Sequence, residues 1–280
     1  MKKSTPKNAE GNAKTAAEAF PHLQAVWDWK KLFWCHFAAV VLLMTWNGGP
    51  VREIWDAADA ALYYAMNGFA VSGEAVSRAI AFANTNQYDK LATLVLVGVL
   101  ASYAAFGRNA RFDWRLAGVF IVGLLMLVTV YGRRKIGIFE YQLRPTPSLM
   151  LEPFYDLNEI FPDLRVKTSA STSFPSNHGN ACMIFLLLFW TLARKYWGLF
   201  TLAILPFFML PRMFAGAHWL SDLAVGSLSY SLVIFAWVVY TPFLERAITF
   251  VHKPFALAFA LLKKLVAGKT GKAKKESAVK

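Results

Sequence analysis

Six apolar runs constrain this chain more than any other feature. They cover about 32–48, 90–107, 115–132, 179–194, 196–212 and 222–243, each near the roughly 20 residues that cross a hydrocarbon core. None carries a charge at its centre. In lipid the backbone must satisfy its own polar groups, which leaves helices or a closed barrel. The runs are continuous and do not alternate, so helices follow. A mean hydropathy of +0.38 and 56 % hydrophobic residues agree with that reading. The expectation is an all-α membrane protein with a six-transmembrane-helix domain over 32–250.

Charge orients the runs. Arg108, Arg111 and Arg115 lie between the second and third, Arg194 and Lys195 between the fourth and fifth, and Arg246, Lys253, Lys263 and Lys264 after the sixth. With six spans these fall on one side with the lysine-rich N-terminus, and basic loops mark the cytoplasmic side. Both termini are therefore expected in the cytoplasm. Arg133, Arg134 and Lys135 break the trend at the opposite end of the third run, where anionic lipid headgroups offer a reason. Residues 1–31 read as a disordered basic tail with no apolar core of a signal peptide, and 251–280 as an amphipathic segment followed by a second basic tail. Residues 54–69 combine helical apolar spacing with acidic positions, as in a helix lying on the outer membrane surface.

The net charge of +13 accompanies no nucleic-acid-binding motif, so membrane and not nucleic acid is the expected partner. Two cysteines, Cys35 and Cys182, exclude a disulfide framework, and neither sits in a metal-ligand spacing. Ionisable residues gather at one interface and not in span centres, which disfavours a transporter.

Those residues form three groups. Arg212, His218 and Asp222 bracket the start of the last run. A four-residue spacing puts His218 and Asp222 on one helical face, where the carboxylate can hold one imidazole nitrogen and leave the other free as base or nucleophile. Ser173-Phe174-Pro175-Ser176-Asn177-His178-Gly179 opens the fourth run, placing a cap and free N–H groups at a helix start that suits an anion. Arg144 precedes Pro145 and Pro147 in a stiff stretch, with Lys167 further along the same loop.

Together these groups resemble the type 2 phosphatidic acid phosphatase superfamily, whose pattern is K-x6-RP, PSGH and SR-x5-H-x3-D. Arg144-Pro145, then Pro175-Ser176-Asn177-His178, then Arg212, His218 and Asp222 match in order. Asn177 stands at the superfamily glycine, Pro211 at its serine, and Gly137 at its lysine. Lys135 or Lys167 is the candidate for the missing charge. The stretches IWDAADAALYYAMNG, ANTNQYD, KTSASTSFPSNHG, PRMFAGAHWLSDLAVGS and TPFLERAITF are further similar to the lipid A phosphotransferases of Gram-negative inner membranes.

That resemblance implies a PAP2-type six-helix bundle with a periplasmic amphipathic helix and a periplasm-facing active site in the inner membrane. It implies transfer of phosphate from undecaprenyl diphosphate to lipid A 1-phosphate through a phosphohistidine. His218 would be the nucleophile, Asp222 its orienting partner and His178 the proton donor. Arg144, Arg212, Ser176, Asn177 and Lys167 or Lys135 would bind the phosphate, with no metal or other cofactor required. A lipid phosphatase, passing the phosphate to water, is the alternative.

Overall fold

The computed structural model describes residues 14–23, 25–136 and 144–277, with the side chains of 133–136 and 266–277 outside the described set. Twelve α-helices follow in order: α1 (Ala16–Ala19), α2 (Trp29–Asn47), α3 (Pro50–Ala70), α4 (Glu74–Phe82), α5 (Asn86–Phe106), α6 (Phe112–Ile136), α7 (Leu157–Ile160), α8 (Asn177–Ala193), α9 (Lys195–Ile204), α10 (Pro206–Phe214), α11 (Leu228–Val239) and α12 (Phe243–Ser277). A π-helical turn, Asp222–Ser227, runs directly into α11. No strand occurs among the described residues.

Each of the six apolar runs lies on helix, but they do not all pass as spans. Four stretches are long and apolar enough to cross a membrane: Asn86–Phe106, Phe112–Gly132, Lys195–Phe214 and Asp222–Val239. Helix α2 qualifies only together with α3, from which it is bent by 80°. Helix α8 has 17 residues, about 25 Å of rise. Its shortness has a packing reason. It is enclosed by α6, α9 and α11, and Ile184, Phe185, Leu188, Phe189 and Leu192 are fully buried. A helix wrapped by protein need not match the lipid thickness by itself. Outward residues of α5 and α6 are instead apolar, including Leu94, Val97, Phe120 and Val128.

Lipid supplies no hydrophobic drive between helices, so polar contacts help to fix their register. At the end remote from the site, Arg115 Nε donates to the Ala104 carbonyl at 3.0 Å, with further bonds to Ala105 and Ala110. This closes the C-terminus of α5. Asn109 Nδ2 ties the loop that follows to the Leu192 carbonyl at 2.8 Å.

Two expectations for the tails change. Residues assigned to the N-terminal tail pack against the body: Ala16 and Phe20 are fully buried with Leu23 in the main core, and the Ala16 amide donates to Thr249 Oγ1 at 2.8 Å. Alanine and phenylalanine four apart on one short turn give that segment an apolar face despite its lysine-rich approach. Residues 1–13 lie outside the described set. The amphipathic segment expected within 251–280 is helical and joins the helix before it. It continues α12 through Pro254.

Helix α3 also differs from expectation. Its acids divide: Glu53 and Asp56 are exposed, whereas Asp59 is buried against the bundle with Tyr63, Met66 and Asn67. Its outward positions also include the apolar side chains Ile54, Tyr64 and Phe69.

Candidate active site

The site forms where the N-termini of α5 and α8, the C-terminus of α10, the π turn and the 144–176 loop meet. Its centre is His218. The His218 Nδ1–H donates to Asp222 Oδ2 at 3.0 Å, which leaves Nε2 as the nitrogen with a free lone pair. Asp222 is fully buried. The same Oδ2 accepts from the Trp219 amide at 3.0 Å, and Ser173 Oγ lies 3.3 Å from Oδ1. A carboxylate with several donors is fixed both in charge and in direction.

The π turn locks this pair to α8. The Asp222 carbonyl accepts from Ser227 Oγ at 2.9 Å and from the Ser176 amide at 3.3 Å. Ser227 Oγ also lies 3.0 Å from the Ser176 carbonyl, so its single proton is shared between the two carbonyls. Two glycines permit this close approach. A Cβ on Gly179 would meet Ser227 Oγ at 2.4 Å, and one on Gly226 would meet Pro175 Cβ at 2.6 Å. Ser176 caps α8 by accepting from the Gly179 amide at 3.1 Å. Its hydroxyl oxygen is thus committed to the helix, while its proton stays available. Trp46 supports the segment by stacking on Phe174 with ring centres 4.0 Å apart.

His178 sits in the first turn of α8. Its Nε2 lies 3.2 Å from Asp89 Oδ1 and 3.2 Å from Arg212 Nη2. Arg212 occupies the last turn of α10, where the helix dipole favours a cation. It is almost wholly buried; Nη1 donates to the Asn84 carbonyl at 3.2 Å and Nη2 to Asp89 Oδ1 at 2.6 Å. Lys167 Nζ lies 2.8 Å from Asp89 Oδ2. The Lys167 amide uses the same Asn84 carbonyl at 3.1 Å. Asn84 Nδ2 in turn holds the Pro211 carbonyl at 2.8 Å. One asparagine therefore positions both cations.

Arg144 stands on the other side. Its guanidinium stacks over Trp219 at 4.0 Å and donates to Asp59 Oδ2 at 2.7 Å, Ser221 Oγ at 2.8 Å and Asp56 Oδ1 at 3.1 Å. Asp59 is fully buried at the side chain and also accepts from the Ser221 amide at 2.8 Å. Asn177 lines a groove of about 330 Å³ with Asp89, Lys167 and His178 at its polar end. The groove continues along apolar residues of α5, α6 and α8, including Leu96, Met126 and Ala181.

Of the residues singled out by sequence, the structure brings Arg212, His178 and Lys167 onto one anion and joins His218 to Asp222. Arg144 is held apart by the acidic residues of α3. The Lys135 side chain lies outside the described residues. Motif spacing missed Asp59, Asn84 and Asp89. Their only signal lay in the stretches IWDAADAALYYAMNG and ANTNQYD, which contain them.

Comparison with known proteins gives two matches. The PAP2 superfamily model matches residues 141–246. The chain is 31% identical over 221 residues to lipid A 1-diphosphate synthase of Escherichia coli (strain K12), across 78% of this chain and 90% of that protein. No solved structure matches.

Proposed function

The chain belongs to the PAP2 superfamily and is an enzyme of its lipid phosphatase and phosphotransferase kind, and from that premise we propose that it transfers a phosphoryl group from undecaprenyl diphosphate to lipid A 1-phosphate. The similarity to a lipid A 1-diphosphate synthase supports that acceptor. The observation that carries the chemistry is the His218–Asp222 pair. A buried carboxylate fixes one ring nitrogen and leaves the other free, in a ring within electrostatic reach of His178.

In this reading His218 Nε2 attacks the terminal phosphorus of the donor. The N–P bond forms as the bridging P–O bond breaks, and His178 gives its proton to the departing undecaprenyl phosphate. Asp222 stabilises the positive ring that results. In the second half an oxygen of the acceptor phosphate attacks the phosphohistidine, the N–P bond breaks, and His178 recovers a proton. Arg212, Lys167 and the N-terminal amides of α8 neutralise the phosphoryl oxygens, with Arg144, Ser176 and Asn177 at the margin. Phosphoryl transfer asks mainly for such positioning and charge.

The groove beside Asp89 and His178 suits a lipid chain whose phosphate reaches the polar end. In this reading the six apolar runs form a six-span bundle in the inner membrane, with the site facing the periplasm. The outward apolar face of α3 suits the membrane interface.

The test is the fate of the label. Purified enzyme given undecaprenyl diphosphate labelled in its terminal phosphate, together with lipid A 1-phosphate, should yield labelled lipid A. Release of the label as free phosphate at the same rate with or without lipid A would replace transfer by hydrolysis.

A further inference from the structure

Two cations that the proposed function assigns to phosphate, and the histidine that it assigns to proton transfer, converge on a side chain that the function does not use. Arg212 Nη2, Lys167 Nζ and His178 Nε2 lie 2.6, 2.8 and 3.2 Å from the two oxygens of Asp89. We propose that Asp89 is an internal competitor for the phosphate site, displaced only by a terminal phosphate, and so excludes phosphodiester lipids from the active centre. The proposal rests on the reading of Arg212 and Lys167 as phosphate ligands, with His178 as the proton donor beside them.

The geometry distinguishes Asp89 from the other acids of the site. Asp59 and Asp222 have side chains with no exposure, and each is pinned by a backbone amide. Asp89 is 29% exposed at the side chain and held only by side chains. It stands in the first turn of α5, at the polar mouth of the groove. Rotation about its own Cα–Cβ bond can carry the carboxylate toward solvent with no helix movement. The other two acids have no such exit.

The chemistry then sets a threshold. A carboxylate offers one charge and two oxygens to the cations. It is also tethered, so it competes at a high effective concentration. A phosphodiester carries one charge as well, and gains little by exchange. A terminal phosphate carries up to two charges and three free oxygens, and can use the α8 amides besides. In a membrane made of phosphodiester lipids that difference selects the substrate. Asp89 also screens Lys167 from the buried Arg212 when no phosphate is bound, since two unscreened cations in one pocket repel.

The experiment compares wild type with Asp89→Asn in detergent micelles, using inorganic phosphate and phosphatidylglycerol as probes. Phosphate binding is read as inhibition and as the rise in thermal unfolding midpoint that it causes. Asp89→Asn should bind phosphate about tenfold more tightly and lower the donor KM. Phosphatidylglycerol should inhibit the variant at concentrations that leave wild type untouched. Unchanged or weaker phosphate binding overturns the proposal, as does a variant still indifferent to phosphatidylglycerol. A merely structural role would move these readouts in the opposite direction or not at all. Asp89→Ser gives the same reading if Asp89→Asn does not fold. Arg212→Lys separates the two levels. If it weakens phosphate binding while Asp89→Asn changes nothing, only the competitor role fails. If it leaves phosphate binding intact, the phosphate site itself has been misassigned.

Discussion

The site holds two histidine–aspartate pairs of opposite character. His218 meets Asp222 at 3.0 Å, and that acid is buried, capped by an amide and bound through its carbonyl to α8. His178 meets Asp89 at 3.2 Å, and that acid is part-exposed and shared with Arg212 and Lys167. The first carboxylate is fixed in the framework. The second is an occupant of a cation cluster. A short N···O distance therefore says little about a carboxylate's role; the number of rigid donors around it says more.

Substitutions test that contrast from both sides. The largest effect belongs to His218→Ala, which should cut turnover by at least ~10⁴-fold and abolish label on the protein after brief exposure to labelled donor. Substantial turnover would remove the nucleophile from the scheme. Asp222→Asn should come next, at about 10³-fold in kcat, because an amide there upsets the ring tautomer while keeping the shape. A near-normal rate would erase the distinction between the two pairs, since Asp89→Asn is expected to retain turnover. The smallest loss should follow His178→Ala, about 10²-fold with the lipid donor and less with an aryl phosphate whose leaving group needs no proton. Equal losses for both donors would argue against a proton-donor role for His178.

The sequence displayed much of this. Apolar runs gave the helical body, because a membrane helix is written in consecutive residues. His218 and Asp222 were legible for a related reason: partners four apart on one turn need no knowledge of the fold. Asp59 and Asp89 were not. Each lies more than 75 residues from the cations it holds, with a sequence separation of 85 from Asp59 to Arg144 and of 123 from Asp89 to Arg212. Nothing in local spacing joins them. The amphipathic pattern of α3 did not single Asp59 out from its exposed neighbours. Acids on a surface helix normally face water, as Glu53 and Asp56 do, whereas Arg144 holds Asp59 inward. Packing also hid the N-terminal segment, since one phenylalanine and one alanine make a weak pattern until a core exists to receive them.

Chain order gives the acidic residues of α3 and α5 one more consequence. Ribosomes deliver the N-terminal part first. Asp56, Asp59 and Asp89 are therefore synthesised before Arg144, Lys167 and Arg212. Each cation reaches a neighbourhood whose counter-charge is already in place. An arginine buried without a partner would cost several kcal/mol, and this arrangement spares the nascent chain that step. The reverse order, as in a circular permutant that starts within the 144–176 loop, would oblige Arg212 to enter the bundle with no acid waiting.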